Sequence, residues 1–118
     1  MPTEPTLTYH LALRADWESR SPTVDYAPLS LDREGFIHCT NGVDELVATA
    51  NRHYREVPGD FLVLVLDRTR IKPIVRYDDP AQLYPHIHGP LNRDAIVRVV
   101  PLPRLADGHF PRMREWEP

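Results

Sequence analysis

The run FLVLVL at residues 61–66 restricts the fold more than any other stretch. A strand with one wet face alternates apolar and polar side chains, so six apolar residues in a row fit a strand covered on both faces. A run this short is also compatible with a buried helix. Gly59 before it and Asp67 after it favour a strand.

The other elements are read relative to that strand. Residues 7–13 (LTYHLAL) are strand-like, and 14–20 (RADWESR) allow two helical turns with Trp17 facing inward. Residues 21–31 hold Pro22, Pro28 and several turn formers, which predicts a loop. Gly35 then precedes a short strand at 36–39 (FIHC). The clearest helix follows. Asn41 is a good N-cap, Asp44 favours the first turn, and Val43, Leu46, Val47, Ala50 and Tyr54 fall on one face before Pro58-Gly59 ends the pattern. Two more strands are expected at 74–77 and 95–100, the second mostly buried and stopped by Pro101 and Pro103. With helices early and strands late, the order predicts an α+β domain with a split or mixed sheet and two helices. No glycine-rich loop follows a strand, which disfavours a Rossmann-type dinucleotide site.

The length of 118 residues predicts one domain, 1–118, with 1–6 as a frayed leader and 106–118 as a loosely attached tail. A net charge of -3 gives no basic footprint, so a DNA partner is not expected. No apolar run approaches the roughly 20 residues of a membrane span. The N-terminus lacks the basic and apolar regions of a signal peptide. Cys39 is the single cysteine and cannot form an internal disulfide, so a reducing cytoplasm is the expected location. All but Lys72 of the 14 basic residues are arginine, a hint of a GC-rich bacterial genome.

The candidate chemistry lies in GFIHCTN (35–41) and YPHIHGPLN (84–92). If 85–89 is extended, His86 and His88 point the same way, and with His38 or His10 they could chelate a metal. They could equally be partly buried histidines bonded to backbone. His38 stands at a strand end before a helix start, where backbone N–H groups favour an anion such as phosphate. Thr40 and Asn41 would add donors there, or only cap the helix. Glu34, at the lip of the same strand, could act as a general base or as an acceptor for a ribose hydroxyl. It could also be an ordinary surface carboxylate. Asn51 interrupts the apolar side of the long helix, and structural use of its amide is the favoured reading. Cys39 cannot share a strand face with His38, so a cysteine nucleophile would need His10 or His86.

YHLALRADWE, SLDREGFIHCTN, ANRHY, FLVLVLD and YPHIHGPLNRDAIVRV together resemble the DUF952 family of small, mainly bacterial domains of unknown function. The similarity runs over about 9–101. It implies a fold like that of the ADP-ribosyltransferases, a split mixed sheet whose cleft holds NAD in the true transferases. It also implies that His10 is placed to contact a ribose and that His38 matches the strand histidine of the RNA 2'-phosphotransferases. The chain departs from the transferases in having no late catalytic glutamate in 95–100, its arginines do not match those of the phosphotransferases residue by residue, and it departs from family relatives in carrying His88 where a tyrosine is common. The resulting expectation is a cleft lined by His10, Glu34, His38, Thr40, Asn41, His86 and Asn92, with the first three catalytic and the rest binding. Its ligand would be nucleotide-like, possibly NAD. A non-catalytic interaction domain and a metal enzyme using His38, His86 and His88 remain the alternatives.

Overall fold

The computed structural model describes residues 6–111. Most of the expected leader and the end of the expected tail, 1–5 and 112–118, lie outside the described residues. The FLVLVL run forms β3 (Phe61–Asp67), the middle strand of a three-stranded sheet between β1 (Leu7–Leu13) and β6 (Ile96–Leu102). Both its faces are covered. Phe61, Val63 and Val65 enter one hydrophobic cluster, and Leu62, Leu64 and Leu66 enter the other. None of the six is more than 4% exposed. Burying each contributes roughly 2 kcal/mol.

The first cluster is closed by α3 (Val43–His53), which buries Val43, Leu46 and Ala50 and packs Val47 and Tyr54 beside them. Asp44 and Glu45 lie in its first turn and Arg52 and His53 in its last, the charge order that suits a helix dipole. Phe110 completes this cluster. Asn51 donates to its carbonyl (3.0 Å) and accepts from its N–H (2.8 Å), so the interrupting amide anchors the C-terminal segment.

The second cluster lies under a second sheet, ordered β2 (Ile37–His38), β5 (Pro85–His88), β4 (Ile74–Tyr77). The split is as expected, but the mixed pairing is not, because every strand pair is antiparallel. The chain enters β3 beside the end of β1. Leu13 faces Phe61, and the Arg14 N–H donates to the Asp60 carbonyl at 2.8 Å, which fixes that pair as antiparallel. Parallel neighbours would need return crossovers that the chain does not make.

Three further expectations are corrected. The predicted loop over 21–31 runs into a helix, so among the described residues three α-helices stand where two were expected: α1 (Arg14–Glu18), α2 (Leu29–Glu34) and α3. Pro28 is the residue before the first turn of α2, a position that a helix start tolerates, and Gly35 at φ 83° ends it in the left-handed region. Asn41 does not cap α3. Gly42, at φ 96°, takes that position, and the Asn41 amide donates instead to the Tyr77 hydroxyl and the Gln82 carbonyl. Strand β6 is mostly exposed along 97–99, because it is a sheet edge, and Pro101 sits within it since an edge needs no outward N–H. Among the described residues no helix is long and apolar enough to cross a membrane.

Candidate functional site

The two sheets are joined by one bridge. Tyr9 and Thr40 exchange both backbone hydrogen bonds, at 3.0 and 2.8 Å. At the next position along β1 the imidazole of His10 takes over. Its Nδ1–H donates to the His38 carbonyl at 2.7 Å, and the Tyr26 hydroxyl faces Nε2 at 3.4 Å. A ring nitrogen facing a carbonyl must carry the proton, which leaves Nε2 as the acceptor. Burial lowers the His10 pKa to about 4, so it is neutral at neutral pH. His10 therefore stitches the split together, and its ring is only slightly exposed.

A cleft opens where the sheets part. Its inner lobe, about 290 Å³, lies between β1, α2 and the second half of α3, with largely apolar walls that include Leu11, Leu13, Val57 and Phe61. Its outer lobe, about 640 Å³, is lined mostly by residues that carry polar groups, among them Arg52, His53, Asp78 and His86. Six residues line both lobes: Ser30, Glu34, His38, Thr40, Thr49 and Tyr54. Each carries a side-chain oxygen or nitrogen, so the two lobes meet along a polar collar.

At the collar, His38 Nε2 bonds the Glu34 carboxylate, with both side chains about half exposed. The pair spans the turn at Gly35, from the last residue of α2 to the last of β2. Burial, and secondarily the charge of Glu34, raises the pKa of Tyr54. His86 lies beside the pair, its ring centroid 5.4 Å from that of His38 and its Nδ1 3.2 Å from an Asp78 oxygen. Burial lowers the His86 pKa, His38 adds to that effect, and Asp78 opposes it.

The carboxylates lining the cleft are all engaged. Asp16 pairs with Arg20 and accepts from the Leu29 N–H, Glu34 pairs with His38, and Asp78 pairs with His86. Asp79 accepts the N–H groups of Leu83 and Tyr84. Arg33 and Arg52 line the cleft and form no ion pair among the described residues.

Of the expected residues, His10, Glu34, His38, Thr40 and His86 line this cleft. Asn41 does not, because its amide is used on Tyr77 and Gln82. Nor does Asn92, a buried residue whose amide accepts from the Lys72 N–H at 2.9 Å and donates to the Arg70 carbonyl at 2.8 Å. The helix start expected beside His38 is not part of the site either, since α3 presents Thr49, Arg52 and His53, from its later turns, to the cleft. His86 and His88 do share a strand face, but what they and His38 have in common is a phenyl ring. Phe36 stacks on His86 at 4.1 Å and meets His38 at 4.7 Å and His88 at 5.5 Å. Among the described residues no group of three His, Cys, Asp or Glu side chains could hold a metal ion. Cys39 is buried, and burial alone pushes its thiol far above the ordinary range, so it is no thiolate nucleophile.

Ser30, Arg33, Thr49, Arg52 and Tyr54 escaped the sequence reading. Ser30 falls where a loop was expected, and Tyr54 read as one more apolar-face residue of the long helix. Arg33 and Arg52 stand inside stretches that carry the family resemblance without being singled out, and Thr49 carried no motif.

Residues 11–99 match the family described as "Protein of unknown function (DUF952)". The crystal structure of protein CC0527 from Caulobacter crescentus is similar, with a TM-score of 0.71 at 22% identity, covering 90% of this chain and 94% of that one. Its solution NMR structure gives 0.67 at the same identity, covering 90% and 91%. At that identity the likeness establishes the shared fold. No curated protein matches the chain.

Proposed function

The chain belongs to the DUF952 family, and on that premise we propose that its cleft binds a nucleotide-like ligand and that Glu34 and His38 act on it as an acid–base pair. The observation that carries this assignment is a pair of arginines, Arg33 in the inner lobe and Arg52 in the outer one, that form no ion pair among the described residues. Either guanidinium can take an anionic group, and arginine is the side chain best suited to phosphate. The inner lobe takes a flat ring, since its walls are aliphatic and aromatic. Its volume of about 290 Å³ sits near the lower end of small-molecule sites.

In this assignment Glu34 accepts from His38 Nε2–H and fixes that tautomer, leaving Nδ1 to take up a proton. An ADP-ribosyltransferase-like architecture, with its ligand cleft at a sheet split, is consistent with this placement, and NAD is one ligand of the right chemistry. A bacterial, cytoplasmic setting suits the single buried thiol. His10 keeps only a structural part, because its Nδ1 is already bonded to the His38 carbonyl.

Thermal shift and calorimetric titration with AMP, NAD and ADP-ribose test this directly, because a ligand that binds only the native state raises its melting temperature. Anionic nucleotides should stabilise the protein more than the matching neutral nucleosides. The double variant Arg33→Gln/Arg52→Gln should weaken nucleotide binding by about tenfold or more, the scale of a charge-assisted contact. Absence of any shift at millimolar nucleotide, or equal affinity for nucleoside and nucleotide, defeats the proposal.

A further inference from the structure

The segment that joins α3 to β3 has no regular structure, yet it supplies part of the wall of the inner lobe. Tyr54 and Phe61 bracket it and Val57 lies within it, and all three line that lobe. Its far end is fixed at the Asp60 carbonyl, which accepts the Arg14 N–H at 2.8 Å. Its middle passes through Pro58 and Gly59, and the Val57 N–H reaches back only to the Tyr54 carbonyl, at 3.1 Å. What holds this strap is one side chain from the C-terminal part of the chain. The Arg104 guanidinium donates to the carbonyls of Arg55 at 2.8 Å, of Val57, and of Gly59 at 3.1 Å. It also lies 5.2 Å from the ring centre of Phe61 and 4.7 Å from that of Phe110.

Resting on the nucleotide assignment above, we infer that Arg104 is a specificity-determining residue that acts through the strap. By holding the carbonyls of 55, 57 and 59 it sets the wall against which the ligand's ring packs. The fork is what the task needs. A guanidinium carries five N–H donors in one plane and can meet three carbonyls at once, whereas a lysine ammonium is a point charge on a flexible stem. A strap released from the fork has to be ordered again whenever a ring enters, and that cost is taken from the affinity. The anionic end of the ligand is held separately, since Arg33 and Arg52 stand on α2 and α3, outside the strap. Arg104 also lies beyond residues 11–99, the stretch that matches the family. The wall is thus positioned from outside that stretch, while Glu34, His38 and both arginines stand within it.

The test titrates AMP and ribose 5-phosphate, which has the sugar and phosphate but no base, into the wild type, Arg104→Lys, Arg104→Gln and Asn51→Ala, each well below its melting temperature. Asn51→Ala is the control, because it frees the same C-terminal segment at another point, the Phe110 backbone. Both Arg104 variants should weaken AMP by about tenfold and change ribose 5-phosphate by less than about twofold. Arg104→Lys keeps a charge beside the two phenyl rings and should be the more stable of the pair. Asn51→Ala should lower the melting temperature and leave the ratio of the two affinities as it is in the wild type. An unchanged ratio in the Arg104 variants, or a wild type that binds AMP no better than ribose 5-phosphate, overturns the inference while the nucleotide assignment stands. So does a ratio altered equally by Asn51→Ala, since any loosening of the segment would then suffice. Unfolding of even Arg104→Lys makes Arg104 a requirement of the fold and overturns it too. If AMP does not bind the wild type at all, the inference and the assignment fall together.

Discussion

Strands β3 and β5 both run through the middle of a three-stranded sheet, and they carry opposite chemistry. β3 is apolar on both faces because a cluster covers each one. β5 is covered on one face, where Pro85 and Ile87 are buried, and its other face holds His86 and His88. The register repeats the division, with Ile37 opposite Ile87 and His38 opposite His86. A slip of one residue would put imidazoles in the core, so the burial of Ile37 and Ile87 is what holds the histidines on the opposite face. Two-sided burial leaves a strand no position for a titratable group. One-sided burial leaves every second position free for one.

The comparison breaks most visibly in β3. Leu64 is fully buried at its centre. Leu64→Ala should cost about 2–5 kcal/mol, the range for a leucine removed from a packed core. His88→Ala, on the exposed face of β5, should stay within about 0.5 kcal/mol. Urea denaturation of both variants checks the contrast. Similar losses in the two would mean that the histidine face is as much a part of the core as β3 is.

His10 sharpens the same contrast from the boundary, because it is a histidine on the buried side. Its folded pKa is about 4 against an ordinary 6.5. Between those values the unfolded chain binds the proton and the folded one does not, so stability rises with pH. The contribution is complete above about pH 6.5 and is lost as pH falls toward 4, and it is on the order of 3 kcal/mol. His86, also depressed, adds to the slope in the same direction. Asp67, Asp94 and Asp107 are held below their ordinary 3.8 by hydrogen bonds, so their contributions fade only in more acid solution. His10→Gln keeps an amide donor for the His38 carbonyl and should flatten most of the melting-temperature slope between pH 4 and 6.5. An unchanged slope would place His10 in contact with water.

Legibility in the sequence follows the same division. β3 and the apolar face of α3 were readable because apolar pattern records burial, and burial formed them. The shared strand face of His86 and His88 was readable for the same reason. α2 was not, since Pro28 reads as a breaker until one sees that it stands just before the first turn, and Gly35 reads as a break until its left-handed φ shows it to be a stop. Asn41 and Asn92 carried donor chemistry, but which partner takes an amide is decided by segments far away in sequence, Gln82 for one and Lys72 and Arg70 for the other. The collar residues were the least visible. Ser30 and Thr49 become neighbours of one cleft only when α2 and α3 are brought beside β1, and such an approach leaves no trace in local pattern.

The smallest effect is expected at Glu34. Its pair with His38 is half exposed on both sides, and exposed ion pairs contribute little because solvent screens them. Glu34→Gln should therefore change unfolding free energy by less than about 0.5 kcal/mol at neutral pH. The amide can still meet His38 through its oxygen, so the ring keeps a partner while the charge is gone. Stability and ligand turnover then report different things. A variant with native stability and intact nucleotide binding, but with chemistry on the bound ligand abolished, places the carboxylate in the reaction. A loss of about 2 kcal/mol or more would instead make Glu34 a clamp on the turn at Gly35, structural like its counterpart His10, and the open face of the molecule would owe its geometry to the same kind of contact that seals the closed one.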